Sequence, residues 1–251
     1  MTGRLLLVPN TLDLGAEPVP LEDVLARGVL RQAAGLRFWV AEDARSARAF
    51  LKRVDAVFPL IQPLQAMHIS ELPRPRKGSR EALPAGAWTE LLKPALEGQD
   101  VGLISDAGLP AVADPGAALV QAAHAAAVRV VALPGPTSLL LALAASGLNG
   151  QSFAFVGYLP QDGARRHARL IELEALSRRN AQTQLAIETP YRNQALLTAM
   201  TQSLAPATRL AVTCGLTLEG GWSRSTTVAD WRRQAPLMPD RWPAVFSFLA
   251  A

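Results

Sequence analysis

The stretch VGLISDAGLPAVADPGAALVQAAHAAAVRVVALPGPTS, Val101–Ser138, decides the fold. It opens on a short aliphatic run, Val101–Ile104, and returns to another at Val128–Leu133. Neither run has a polar face. Between them lie a loop of small residues and a helix-length stretch, Ala117–Ala127. Two strands apolar on both faces, joined by a helix, form the βαβ unit of a parallel sheet covered on each side. Asp114-Pro115-Gly116 predicts the helix start, with Asp as N-cap and Pro at the first helical position. The helix is nearly all apolar, which predicts packing on more than one side.

The same alternation extends toward the N-terminus. Arg4–Val8 reads as a strand stopped by Pro9 and Asn10, and Leu36–Val40 as another, followed by Ala41-Glu42-Asp43. A helix is predicted from Arg45 to about Val57, because Ala47, Phe50, Leu51 and Val54 fall on one face. Leu60–Met67 is a weaker strand, broken by Pro63. A basic loop with Arg74, Arg76, Lys77 and Arg80 precedes a helix over Ala87–Leu96.

Toward the C-terminus, Pro134-Gly135-Pro136 breaks the chain, and Thr137 or Ser138 caps a short helix ending at Gly147. The texture then changes. Strands are predicted at Ser152–Leu159, Gln184–Glu188, Arg209–Thr217, Ser223–Val228 and Ala244–Leu249, with helices over Ala164–Arg179 and Tyr191–Leu204. Strands that follow one another without a helix imply a mixed sheet. The fold class is therefore α/β, with an N-terminal domain over residues 1–134 built on a largely parallel sheet. A C-terminal domain over residues 135–251 carries the mixed sheet.

Composition limits the chemistry. Of 251 residues, 49% are apolar and 18% charged, which describes a globular chain and excludes a disordered one. The single cysteine, Cys214, excludes a disulfide framework, and with three histidines it argues against a zinc site. No metal is expected. The net charge of +4 permits nucleic acid without demonstrating it. The bias toward arginine suits phosphate contacts, and a GC-rich genome explains it equally well. The N-terminus has no secretory signal and no apolar run approaches a membrane span, so a soluble, cytoplasmic protein is expected.

The dinucleotide and P-loop glycine signatures are missing, as are HExxH, GxSxG and CxxC. Three strand-to-loop junctions remain. Ser105–Pro110, running on to Ala113–Gly116, supplies small residues for close backbone approach and two carboxylates, Asp106 and Asp114, at the sheet edge where α/β proteins bind ligands; a helix cap is enough to explain Asp114. Pro134–Ser138 is an interdomain hinge, compatible with a ligand cleft. Glu188-Thr189-Pro190-Tyr191-Arg192 places polar groups at another strand end.

Together these segments resemble the tetrapyrrole-methylase superfamily of S-adenosylmethionine (SAM)-dependent methyltransferases. Within it, the closest likeness is to the bacterial 16S rRNA cytidine 2′-O-methyltransferases. The matching motifs are SDAGLPAVADPG (Ser105–Gly116), AEDAR (Ala41–Arg45), PGPT (Pro134–Thr137), GYLP (Gly157–Pro160) with Arg165 and Arg166 beyond it, and ETPYR (Glu188–Arg192). They occur in family order. Two departures are visible. The usual TPIGNLGD-like loop reads Pro9-Asn10-Thr11-Leu12-Asp13-Leu14-Gly15 here, and the chain closes just after Trp242–Ala251, as in a shorter branch without the C-terminal extension.

The resemblance implies SAM bound in a cleft between the two domains. The implied contacts are Pro9, Ser105, Asp106, Ala107, Gly108, Pro110, Gly135, Pro136, Thr137, Ser138, Tyr158, Leu159, Glu188, Thr189 and Tyr191. Asp106, Glu188 and Glu42 are the candidates for the base that takes the acceptor's proton. Arg45, Arg165, Arg166 and Arg192 are the candidates for substrate contacts. The implied substrate is RNA of the small ribosomal subunit, and the implied assembly is a homodimer away from membranes. A tetrapyrrole- or corrin-type small-molecule methyltransferase and a non-catalytic SAM-binding protein are the two alternatives. The altered first loop speaks for the last.

Overall fold

A computed structural model describes residues 2–13, 19–73 and 85–251. The basic stretch 74–80 and the end of the Pro9–Gly15 loop lie outside the described residues. The chain divides into two compact units, Met1–Thr137 and Ser138–Ala251.

The first unit runs β1 (Arg4–Leu7), α1 (Leu21–Val24), α2 (Arg27–Ala34), β2 (Phe38–Ala41), α3 (Ala44–Asp55), β3 (His68–Glu71), α4 (Ala85–Leu96), β4 (Val101–Ile104), α5 (Ala117–Ala125) and β5 (Arg129–Ala132). Its five strands are all parallel, in the order β3-β2-β4-β1-β5. Side chains alternate between two cores. Leu6, Trp39, Ala41 and Ile104 point toward α2 and α3, whereas Leu5, Val40, Val101 and Leu103 point toward α4 and α5. This is the sheet covered on both faces that the apolar strands predict. Gly102 sits under Trp39, where an added Cβ would come within 2.8 Å of the indole ring.

Three expectations are corrected. The α5 helix starts at Ala117 with Gly116 as its N-cap, so Asp114 does not cap it. Ala111 and Ala113 carry positive φ, and the Asp-Pro-Gly segment finishes a folded loop rather than opening the helix. That helix also buries one stripe, Leu119 and Ala123, because its alanines are short enough to face water at little cost. The strand expected at Leu60–Met67 is instead a 3₁₀ turn at Leu64–Ala66, and the strand follows at His68–Glu71. Pro63 precedes the turn, and β3 is an edge strand whose side chains are mostly exposed, so it lacks the apolar signature.

The second unit runs α6 (Ser138–Ser146), β6 (Phe153–Tyr158), α7 (Gly163–Asn180), β7 (Thr183–Glu188), α8 (Asn193–Ser203), β8 (Arg209–Cys214), β9 (Trp222–Thr227), α9 (Val228–Arg233) and β10 (Ala244–Leu249). Its sheet, β6-β7-β10-β8-β9, is mixed: β6 and β7 are parallel and the other pairs antiparallel. One face packs Phe246, Phe248, Leu210 and Val212 against α7, α8 and α9. The other packs Leu185 and Val245 against Leu139, Ala142 and Leu143 of α6.

Candidate active site

The carboxyl ends of β1, β2 and β4 lie side by side, and three motif loops leave from them. Asn10 ties the first two segments together. Its backbone N–H donates to the Gly108 carbonyl at 2.9 Å, and its buried side-chain amide donates to the carbonyls of Ser105 (3.2 Å) and Asp106 (3.0 Å). The Gly108 N–H returns a bond to the Thr11 carbonyl at 3.3 Å. Gly108 needs φ of +67° to make this turn, and a Cβ there would press on Leu12. So the loop that departs from the family pattern is still locked to the Ser105–Gly108 loop.

The Ala41–Arg45 segment joins the same cluster. The Glu42 N–H donates to the Ile104 carbonyl, and the Glu42 carboxylate accepts from the Asp106 N–H at 3.3 Å. Asp43 caps α3, accepting from the N–H groups of Arg45 and Ser46 at 3.0 and 2.9 Å. Ser46 Oγ lies 2.5 Å from Asp106 Oδ1 and 2.9 Å from the Asp43 carbonyl, so its one proton serves two acceptors. Asp106 is exposed, while Ser105 and Pro110 are buried and Ala107 is half-buried.

Sequence reasoning counts Asp114 as the second carboxylate of the Ser105–Gly116 junction, but a helix cap suffices to explain it and it is not among the candidate site residues. In the structure its carboxyl is half-buried, and burial followed by the Glu42 and Asp106 charges pushes it up to about 6. The site therefore gathers three carboxylates from two motifs. The available sequence signal was the second Asp of the SDAG…DPG segment, which is also ordinary helix-start grammar. Among the described residues, no group of three or more His, Cys, Asp or Glu side chains is arranged to hold a metal ion.

Pro9 and Gly135 meet at the ends of β1 and β5, where a Cβ on Gly135 would lie 2.2 Å from the Pro9 ring. Pro136 and Thr137 follow, both half-buried, and Ser138 starts α6 in the second unit.

The remaining predicted residues belong to the second unit. Glu188, at the end of β7, is 6% exposed. Its Oε1 accepts from the Thr189 N–H at 2.9 Å, and its Oε2 pairs with Arg192 at 3.0 Å. Two candidates of different role, a base and a substrate contact, thus satisfy each other. Tyr158 and Tyr191 are 60% and 72% exposed beside buried Leu159 and half-buried Thr189. Arg165 and Arg166 lie in the first turn of α7, capped by Asp162, and Arg166 donates to the Gln161 carbonyl.

Comparison with known proteins gives these motifs a family. The chain is 36% identical over 168 residues to ribosomal RNA small subunit methyltransferase I of Xylella fastidiosa, covering 66% of this chain and 55% of that protein. It is 33% identical over 221 residues to the protein of the same name from Mycobacterium bovis, covering 86% and 67%. The chain thus spans between about half and two thirds of the length of these relatives. The methyltransferase CobJ shares the fold at a TM-score of 0.60 and 19% identity, over 100% of this chain and 95% of that one. Uroporphyrin-III C-methyltransferase from Thermus thermophilus, in complex with S-adenosylhomocysteine, does so at 0.53 and 18%, over 98% and 97%. The family model for tetrapyrrole (corrin/porphyrin) methylases matches residues 41–230, and the chain belongs to that family.

Proposed function

We propose that this chain is a SAM-dependent methyltransferase whose acceptor is a ribose hydroxyl in RNA of the small ribosomal subunit. The observation that carries the reading is the convergence of Asn10, Glu42, Ser46 and Asp106 at adjacent strand ends, with Asp114 beside them. The group fits SAM on its chemistry. SAM supplies an electrophilic methyl on a positively charged sulfonium. The Asp114 carboxyl is raised first by burial and then by the Glu42 and Asp106 charges, and a cation beside these carboxylates would favour their ionised forms. The small side chain of Ala107, half-buried on the same loop, lets a ligand come close to the backbone there.

Methyl transfer is a displacement governed by alignment, so the first task of these residues is to hold geometry. The Asn10 amide, bound to two carbonyls, fixes the Ser105–Gly108 loop. Asp106 is the exposed carboxylate on that loop and is the base in this reading, accepting the hydroxyl proton as the methyl is transferred. Glu42 and Ser46 orient it through its own N–H and Oδ1. Glu188 has both oxygens engaged by Thr189 and Arg192, which suits it to positioning rather than proton transfer. Arg165, exposed at the start of α7, is kept as an RNA contact. The similarity to ribosomal RNA small subunit methyltransferases supports RNA as the acceptor class.

The reading includes a homodimer working in the cytoplasm. Phe153 and Phe155 project, partly exposed, from the edge strand β6, and no described helix is long and apolar enough to cross a membrane. Mass-spectrometric mapping of small-subunit rRNA, with and without the gene, tests the function. Loss of one ribose methyl on deletion, restored by the wild-type chain and not by Asp106→Ala, is the expected result. Identical maps would remove RNA as the acceptor.

A further inference from the structure

Beside the carboxylate cluster, and sharing Asp106 with it, the first unit carries a cavity of about 580 Å³ along the outer face of α3. Ligand pockets fall in the range of roughly 300–1,000 Å³, so the volume suits a small organic group. The α3 helix buries Ala47, Phe50, Leu51 and Val54 and leaves Arg45, Ala49 and Lys52 exposed on the cavity side. Asn10 and Asp106 line it too, so it adjoins the proposed methyl-transfer loop.

The charges in this cavity are unevenly committed. Arg53 is anchored by Asp13 at 3.1 Å, the Val19 carbonyl at 2.9 Å and Thr11 at 3.2 Å. Asp43 is spent on the cap of α3, and Asp106 accepts from Ser46. Each carboxylate lining the cavity thus has a donor. The side chains of Arg45 and Lys52 have no hydrogen-bond or ion-pair partner among the described residues. They stand seven positions apart, about 10 Å along the axis, with the methyl of Ala49 between them. Two uncommitted cations flanking a low floor, on a helix held by its buried face, match the spaced negative charge of a nucleic-acid backbone.

We propose that this cavity is a backbone-phosphate subsite for the acceptor strand, with Arg45 and Lys52 as its phosphate contacts. The inference rests on the RNA reading above and adds where the strand lies: over α3, adjoining Asp106. Phosphates held there set the register of the strand and leave the choice of base to other contacts.

The test uses the full chain with a single-stranded RNA oligonucleotide, followed by fluorescence anisotropy across salt concentrations, and with SAM by calorimetry. The variants are Arg45→Gln, Lys52→Gln, the pair, and Arg48→Gln as control. Arg48 is an exposed cation of the same helix that does not line the cavity. The pair is expected to weaken RNA binding about tenfold or more and to lower the salt slope by about 1.4, at roughly 0.7 per phosphate on a single strand. Arg48→Gln and SAM affinity are expected to stay at wild-type values. Equal loss from Arg48→Gln would mean general surface charge, and loss of SAM binding would assign the cavity to the cofactor. Either result overturns the proposal, as does wild-type RNA binding by the pair or no RNA binding by the wild-type chain. Selective loss in the pair, with no methylation of ribosomal subunits, would keep the phosphate subsite and remove the acceptor reading.

Discussion

Asp114 sits half-buried against Glu42 and Asp106, and its carboxyl titrates near 6 instead of 3.8. The folded chain therefore holds this proton more tightly than the unfolded chain does. The stability contributed by the protonated form is complete below the unfolded value and is lost as pH rises through about 6. Asp114→Asn is expected to flatten the pH profile of the denaturant midpoint across that window. Above it, the variant is expected to be more stable than wild type, by about 1 kcal/mol after discounting for the solvent that reaches the group. In the proposed reading, a SAM sulfonium bound beside these carboxylates would reverse the local balance by favouring the ionised form. SAM affinity, read by calorimetry, is thus expected to fall in wild type as pH drops through about 6 and to be flat in the variant. The sequence singles out Asp106 and Glu42 as candidates through their motifs, and the fold brings them together. Asp114 is noted in the sequence as the loop's second carboxylate but left as a helix cap, because Asp-Pro-Gly before an apolar run satisfies helix-start rules so well that only the fold reveals the carboxyl's neighbours.

Gly102 shows the same limit at the level of an element. Within Val101–Ile104 it reads as a small interruption of an apolar strand. In the structure it is the gap that admits Trp39, with a Cβ 2.8 Å from the ring and 2.9 Å from Leu36. Gly102→Ala is expected to destabilise the chain by about 1–3 kcal/mol through overpacking, measured as a lower denaturant midpoint with an unchanged slope. Interior strands and long helices were legible because burial on two faces, or on one helical stripe, writes a period into the chain. The α3 stripe of Ala47, Phe50, Leu51 and Val54 is buried as its spacing predicts. The edge strand β3 and the short helices α1 and α2 were not identified. The first exposes most of its side chains, and α1 spans only four residues. The α5 helix was expected to pack on more than one side because composition cannot tell an alanine facing the core from one facing water.

At the scale of the molecule, a parallel sheet and a mixed sheet follow each other along the chain, as the change of texture after Pro136 implies. The motif loops of the first unit cluster because parallel strands bring all their carboxyl ends to one edge, so residues 10, 42 and 106 meet despite their separation in sequence. Transfer of a labelled methyl from SAM by the purified chain to small ribosomal subunits lacking the modification tests the account most directly. Label in rRNA ribose, lost in Asp106→Ala while the variant keeps its fold, is the result expected. Label in a porphyrinoid acceptor and none in rRNA, or full activity in Asp106→Ala, would contradict it.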